Sequence, residues 1–427
     1  MINARFISNS AVIFFGLIFG LKFIFLSNGD VINYYPLISD DGFDWYTEGI
    51  YLINSFFRNN LPNLPILRPP IFVLITSLDF LTGSRGLVLS TLYSLSIVMT
   101  YFFILWIIDR ELGVENKDAW FLFPLAISVT VYPINFFKGY LLSDSIAVCL
   151  SLFSIFILIK YFNEKKIHLL VLSGFVALLA GLTQTYGLVP YLIFIGIKLM
   201  FTYKNNKTNV LLLFLSLVLI FSSFILITYF WRHFLKHHTT PLNFQLLKLN
   251  FDMLSFYINT WGYYFFPFII FFILIKHNKE HLVTTQLIIF SSLAVTLTLA
   301  FFCFIYQWPD ARYTYYLWPW VLISFFLLFK PVNKKTGSIS LVGLMIFVSF
   351  VIPSNSPWGP SLKSISFSYH KNWAVNYFRS QSVDRDLNNC NTPNCDGNSF
   401  LANSSPYVKS VMSMYLVLKE ASIKFNK

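Results

Sequence analysis

The chain has 427 residues, of which 56% are hydrophobic and 12% charged, with a formal net charge of +12 and a mean hydropathy of +0.63. A soluble domain could not bury so much apolar sequence, and uncharged runs repeatedly reach bilayer-spanning length, so the composition predicts an all-α polytopic membrane protein. No nucleic-acid-binding motif is present. The positive charge indicates the cytoplasmic bias of basic residues in membrane proteins, with membrane lipids and not nucleic acid as the expected partners.

The chain opens with a short segment carrying Arg5, followed by the first predicted span, Asn9–Ser27. No small-residue cleavage site follows this span, so we expect a retained helix and not a signal peptide. The first outer loop, residues 28–86, comes next. Its apolar side chains recur at steps of three and four, which predicts an amphipathic juxtamembrane helix lying flat on the membrane. This face consists of Phe43, Tyr46, Ile50, Ile53 and Phe57.

The same loop contains a shorter apolar piece, Ile71–Leu81. At 1.5 Å per residue it cannot cross ~30 Å of hydrocarbon, so we interpret it as a second surface or half-buried helix ending at Thr82-Gly83. Leu87–Ile108 is then the second span. Counting Ile71–Leu81 as a span instead would reverse the side of every later loop.

Later apolar segments alternate with short polar turns, for a total of about eleven transmembrane helices. The remaining predicted spans are Ala119–Phe137, Leu141–Tyr161, His168–Gln184, Tyr186–Phe201, Thr208–Phe230, Leu254–Ile275, Leu282–Ile305, Thr314–Phe329 and Ile339–Ile352. Lysines such as Lys165, Lys204 and Lys334 fall on one side, which the positive-inside rule assigns to the cytoplasm. Residues 1–353 then form a transmembrane domain with a cytoplasmic N-terminus, and residues 354–427 form a small extracytoplasmic cap.

Three carboxylates crowd at the start of the amphipathic helix: Asp40, Asp41 and Asp44. In a chain with so few charges this cluster indicates a general base, because a low local dielectric raises the proton affinity of a carboxylate. Asp41 is the first choice, with Asp40 and Asp44 as neighbours that could replace it. The alternative is structural, since Asp41 and Asp44 also have the spacing of a helix cap.

Arg68, Lys138 and Arg312 are cations on the predicted outer side, where the positive-inside rule does not account for them. Each could bind a phosphate, and an arginine could do so through two parallel hydrogen bonds. The alternatives are headgroup anchoring for Arg68 and local ion pairs of Lys138 with Asp144 and of Arg312 with Asp310. Asp144 is expected about one turn inside a span, where a carboxylate is costly and therefore a functional candidate.

Histidines and cysteines give weaker signals. His233, His237 and His238 share an outer loop but lack acidic or cysteine partners at ligand spacing, so a metal site is the weaker interpretation there and phosphate or headgroup attraction the stronger one. Cys390 and Cys395 lie in the polar tail with turn-forming residues between them. A local disulfide is predicted if that tail lies outside the cytoplasm.

The first outer loop resembles that of the GT-C class of integral membrane glycosyltransferases. The shared pattern is an acidic residue four positions before an aromatic one, Asp41 and Trp45, then a small residue at Gly49 and an Arg68-Pro69-Pro70 sequence leading into a short helix that ends in Gly83. The resemblance is to the bacterial branch that includes protein O-mannosyltransferases and lipid A aminoarabinose transferases.

Two later motifs are also similar to those of this class. Leu142-Ser143-Asp144 resembles its acidic motif at the start of a span, and Arg312-Tyr313 resembles its Arg-Tyr pair before a late span. Thr183-Gln184-Thr185 departs from the pattern, because many relatives carry a lysine there. The expected number of spans, the inner N-terminus and the outer C-terminal piece also match.

The resemblance implies transfer of a sugar from a polyprenyl-phosphate donor to a glycan, lipid or protein acceptor at the outer face of the cytoplasmic membrane, commonly with inversion. Asp41 would be the general base. Substrate contacts would come from Arg68, Lys138, Asp144, Arg312 and Tyr313. No cofactor is required by this scheme, although Asp41 and Asp144 together could hold a divalent metal.

Two other functions stay open from the sequence. A transporter or flippase of lipid-linked sugars would need polar or charged residues deep in several spans, whereas the middle of each predicted span is almost purely apolar. An O-antigen polymerase or ligase usually has a large outer loop late in the chain, whereas the longest loop between predicted spans here is the first.

Overall fold

Nearly every residue that the structure describes is helical. In a computed structural model, placement is described for residues 4–27, 68–82, 87–112, 143–202, 207–234, 290–298 and 314–329, and for helical positions between 45 and 53 and between 122 and 130. Within those ranges no β-strand occurs, which agrees with the predicted all-α class. The helices with defined bounds are α1 (Ala4–Ser27), α2 (Pro70–Leu81), α3 (Leu87–Leu112), α4 (Asp144–Glu164), α5 (Ile167–Thr183), α6 (Val189–Thr202), α7 (Lys207–Phe234) and α8 (Thr314–Phe329).

Three of these helices are long and apolar enough to cross a membrane. The spanning stretches are Leu87–Asp109 in α3, Asp144–Glu164 in α4 and Asn209–Trp231 in α7. Large apolar side chains on α7 are exposed, including Leu219 and Phe230, an arrangement that hydrocarbon accepts and water does not. The other predicted spans coincide with shorter apolar helices or extend beyond the described ranges. The total of about eleven spans, and the side on which each terminus lies, therefore stay predictions.

Helices α1 and α3 pack as a close antiparallel pair. Arg5 forms an ion pair with Asp109 at one end, and the Tyr101 hydroxyl donates to Asn9 Oδ1 at 3.2 Å one turn further along. Gly20 lies so near α3 that an added Cβ would collide with the Ser94 side chain and the Ser90 carbonyl. Small residues allow this approach between helices in a membrane, where close packing replaces the hydrophobic driving force.

Helices α3 and α4 run parallel. The Ser96 and Ser145 hydroxyls lie 2.6 Å apart, and the Trp106 and Phe156 rings have centroids 4.2 Å apart. Partner numbers rise together along both helices, so their N-terminal ends lie at the same end of the bundle. Asp144, the first residue of α4, is therefore on the side where α3 begins.

The hairpin between α4 and α5 and the break after α5 have local causes. Lys165 ends α4 in the left-handed conformation, with φ 57°, and its N–H donates to Tyr161 O at 2.8 Å. Gln184 is extended and separates α5 from a 3₁₀ turn over Thr185–Leu188, after which α6 begins. The break falls at the predicted Thr183-Gln184-Thr185.

Candidate functional site

Arg68 is held by its backbone from two directions. Its N–H donates to both carboxylate oxygens of Glu48, each at 2.9 Å. Its carbonyl oxygen accepts from Trp231 Nε1 at 3.1 Å, although Trp231 is 163 residues away in the last turns of α7. Pro69 and Pro70 follow, and α2 begins at Pro70, where a missing N–H costs a helix nothing. The sequence predicted a role for Arg68, but Glu48 and Trp231 as its partners were missed.

An aromatic face lies beneath the guanidinium of Arg68. The Arg68 Cζ atom is 5.6 Å from the centroid of the Trp45 ring, within the range of a cation–π contact. Trp45 is almost fully buried and packs edge-to-face on Phe72 of α2, with centroids 4.9 Å apart. Arg68 as a whole is half-buried, and the Nε atom of its guanidinium is buried.

The juxtamembrane segment that carries Trp45 and Glu48 packs tightly on α2. Thr76 Oγ1 donates to Trp45 O at 3.0 Å, and Ser77 Oγ donates to Gly49 O at 2.9 Å. A Cβ at Gly49 would lie 2.9 Å from the Ser77 nitrogen, so the close approach requires glycine. The segment is thus fastened to the following helix through side chains that bond to its carbonyls.

The described positions of this segment are buried, including Glu48, and four of the five residues of the predicted apolar face lie outside the described residues. Described positions Trp45, Glu48, Leu52 and Ile53 are all buried, and only Ile53 belongs to the predicted apolar face. Glu48 was expected off the apolar face, yet none of its surface is exposed. The physical reason is that the Arg68 N–H offers a buried carboxylate its hydrogen bonds, which helical periodicity cannot reveal.

Asp144 joins three helices at one end of the bundle. It is fully buried at the start of α4, and its Oδ1 accepts from the Tyr316 hydroxyl of α8 at 2.7 Å. The next residue, Ser145, contacts Ser96 of α3. The sequence predicted Asp144 about one turn inside a span, and the structure has it as the first residue of α4. Tyr316 is a partner that the sequence did not suggest.

Asp79 is a further buried carboxylate, which sequence reasoning missed. It lies near the end of α2, and its Oδ1 accepts from the Val88 N–H at 3.2 Å. It therefore caps the start of α3 and stabilises the turn between the two helices. An acidic residue inside an otherwise apolar short helix was the available signal.

The other predicted site residues lie outside the described residues: Asp40, Asp41, Asp44, Lys138, Arg312 and Tyr313. Two of their neighbours in sequence are described. Trp45, four residues after Asp41 in the sequence, contacts Arg68, and Tyr316, four residues after Arg312, contacts Asp144. His237, His238, Cys390 and Cys395 also lie outside the described residues. Among the side chains that are described, no group of three or more His, Cys, Asp and Glu could hold a metal ion.

Fold and site together define a helical membrane protein that carries a clamped arginine and buried carboxylates near the ends of helices. No protein-family model matches the sequence, and comparison with curated proteins gives no match either.

Proposed function

We propose that this chain is a membrane glycosyltransferase of the GT-C class. It transfers a sugar from a polyprenyl-phosphate donor to a glycan, lipid or protein acceptor at the outer face of the cytoplasmic membrane. The observation that carries the proposal is the fixed presentation of Arg68. A guanidinium held over Trp45, on a backbone bonded to Glu48 and Trp231, is suited to a phosphate that arrives at the membrane boundary.

The chemistry would be a displacement at the anomeric carbon of the donor sugar. Asp41 takes the proton of an acceptor hydroxyl, whose oxygen forms a new bond to that carbon from the face opposite the leaving group. The bond from the carbon to the phosphate oxygen breaks, and the electron pair leaves with polyprenyl phosphate. Arg68, with Lys138 and Arg312, would stabilise the charge that develops on this oxygen.

The positions of the buried carboxylates favour this function over a transporter or flippase. Among described residues the buried acidic side chains are Glu48, Asp79 and Asp144. Asp144 begins α4, Asp79 lies within a turn of the end of α2, and Glu48 belongs to the first loop. A transport pathway needs such groups deep within spans, whereas Asp79 and Asp144 lie near helix ends, which favours chemistry at the level of a lipid phosphate. An O-antigen polymerase or ligase is the other alternative, and no described feature favours it.

The test is a transfer assay with the full-length protein in proteoliposomes that contain polyprenyl-phosphate sugars. Release of polyprenyl phosphate, measured by mass spectrometry, reports turnover whichever acceptor is supplied. Candidate acceptors would come from cell-surface glycans, which are isolated from cells with the protein and from cells without it and then compared. We expect the wild type to release polyprenyl phosphate and Asp41→Asn to lose at least about a hundredfold in rate, because general-base catalysis contributes that much.

Two results would contradict the proposal in different ways. Absence of release from every donor, in a preparation that folds normally, would exclude the transferase. Retained turnover in Asp41→Asn with a stability loss of about 1 kcal/mol would assign Asp41 to a helix cap and move the base to Asp40 or Asp44.

A further inference from the structure

We propose that Glu48 is a positioning residue, whose buried carboxylate acts with the Trp231 indole to hold the Arg68 backbone so that the guanidinium meets the phosphate of the lipid donor. The inference rests on the proposed function for the identity of the anion. The arrangement of the three side chains is observed independently of that function.

The carboxylate of Glu48 is an unusual choice for this contact. Burying an ionised group is costly, and a single N–H could be satisfied by a neutral carbonyl. Here both carboxylate oxygens accept from the same Arg68 N–H at equal distances of 2.9 Å. A charge-assisted bond of this kind is stronger than a neutral one, so it fixes the peptide group more firmly.

The chain on the other side of Arg68 is equally restrained. Pro69 confines Arg68 to extended conformations, and the two prolines have φ fixed by their rings. The bond from Trp231 Nε1 then ties the Arg68 carbonyl to α7. The carboxylate of Glu48 and the indole N–H of Trp231, from two distant parts of the chain, therefore hold the N–H and the C=O of the same residue.

Restraint of the backbone matters because an arginine side chain is long and flexible. Free rotation would have to be lost when the guanidinium binds an anion, which weakens binding. Trp45 supplies a flat surface under the guanidinium, and Glu48 and Trp231 fix the point from which the side chain starts. Loss of either restraint should weaken phosphate binding and also reduce the stabilisation that Arg68 gives to the charge on the leaving oxygen.

The binding test uses undecaprenyl phosphate as the probe and undecaprenol, which has the same chain without the phosphate, as the control ligand. We expect Glu48→Gln and Trp231→Phe each to weaken binding of undecaprenyl phosphate by about five- to tenfold. Glutamine keeps one acceptor but loses the charge that strengthens the bond to the Arg68 N–H, and phenylalanine lacks the indole donor. Binding of undecaprenol should not change. Glu164→Gln and Trp106→Phe, at the opposite ends of α4 and α3, are the matched controls for loss of charge and of indole.

The Arg68→Ala variant tests whether Glu48 acts through Arg68 or through a general effect on the structure. If Glu48 acts through Arg68, then Glu48→Gln in the Arg68→Ala background should cause little further loss, whereas independent effects would add. In the transfer assay, kcat/KM for the donor should fall in Glu48→Gln through both a higher KM and a lower kcat, because a displaced guanidinium binds the phosphate less well and stabilises the leaving oxygen less well. If Glu48→Gln does not fold, Trp231→Phe decides by the same measurements.

The outcomes distinguish this inference from the function on which it rests. Equal binding of undecaprenyl phosphate and undecaprenol by the wild type would overturn both. A preference for the phosphate that Arg68→Ala reduces, but that Glu48→Gln and Trp231→Phe leave intact, would overturn only the positioning role. Additive losses in the Glu48→Gln, Arg68→Ala double variant would overturn it as well.

Discussion

The Tyr316 hydroxyl donates a hydrogen bond to Asp144 Oδ1 at 2.7 Å, across 172 residues of sequence. Both residues are fully or almost fully buried. The bond links the start of α4 to the first turn of α8, two helices that are far apart in the sequence. Its contribution to stability can be separated from any contribution to activity.

We expect Tyr316→Phe to lower stability more than Asp144→Asn. Tyr316→Phe removes the hydrogen bond that the buried carboxylate accepts, at a cost of about 1–3 kcal/mol. Asp144→Asn removes the charge but keeps an acceptor for the tyrosine hydroxyl. Thermal unfolding in detergent measures the difference. Tyr229→Phe on the exposed side of α7 is the control and should unfold like wild type. Equal stability of Tyr316→Phe and wild type would show that the bond contributes nothing.

Gly20→Ala and Gly196→Ala should have opposite effects on stability. The new methyl group at position 20 meets the Ser94 side chain and a carbonyl of α3, so α1 must move away, at a cost of about 1–3 kcal/mol. At position 196 nothing lies within 4 Å, and alanine in a helix is favoured over glycine by roughly 0.5–1 kcal/mol. The unfolding temperature should therefore fall in Gly20→Ala and rise in Gly196→Ala. A stabilising Gly20→Ala would mean that α1 and α3 are not in close contact.

Lys138 and Arg312 are predicted to share the donor phosphate with Arg68. Replacing either by alanine should raise the KM for the lipid donor, and Arg312→Lys should restore only part of the loss, because lysine cannot make a two-point contact. Lys198→Ala is the matched control, since Lys198 lies over the Phe162 ring near the far end of α4. Donor kinetics that are normal in both alanine variants would restrict the phosphate contacts to Arg68.

Cys390 and Cys395 are predicted to form a local disulfide in an extracytoplasmic tail. The bridge should stabilise the tail by roughly 2–3 kcal/mol at most, because the loop that it closes is short. A membrane-impermeant maleimide should label intact cells only after reduction, and Cys390→Ser with Cys395→Ser should abolish the signal. Cys149 is a free thiol inside α4 and is expected to stay unlabelled. Labelling that requires permeabilised cells would place the tail in the cytoplasm and make Ile71–Leu81 a span.

The amino-acid sequence by itself determined the bounds of some of the described helices closely and of others only to within about five residues. Helix α1 begins five residues before the predicted start, and α7 ends four residues after the predicted end, so that the first residues of the predicted outer loop beginning at Trp231 are helical. Predicted Thr314–Phe329 coincides with α8, Ile71–Leu81 differs from α2 by one residue, and the break at Thr183-Gln184-Thr185 separates α5 from α6. These boundaries could be predicted because apolar length and prolines act locally, within a few residues of the boundary itself. The predicted class, a helical membrane protein, follows from the same local information.

Tertiary structure alone decided which polar groups meet. Glu48 bonds to a backbone N–H 20 residues away, Trp231 to a carbonyl 163 residues away and Tyr316 to a carboxylate 172 residues away. Periodicity marked Glu48 as a residue off the apolar face, because it measures the polarity of a side chain and not the partners that burial can provide. A buried carboxylate is stable only where donors converge on it, and that convergence is set by how distant helices pack.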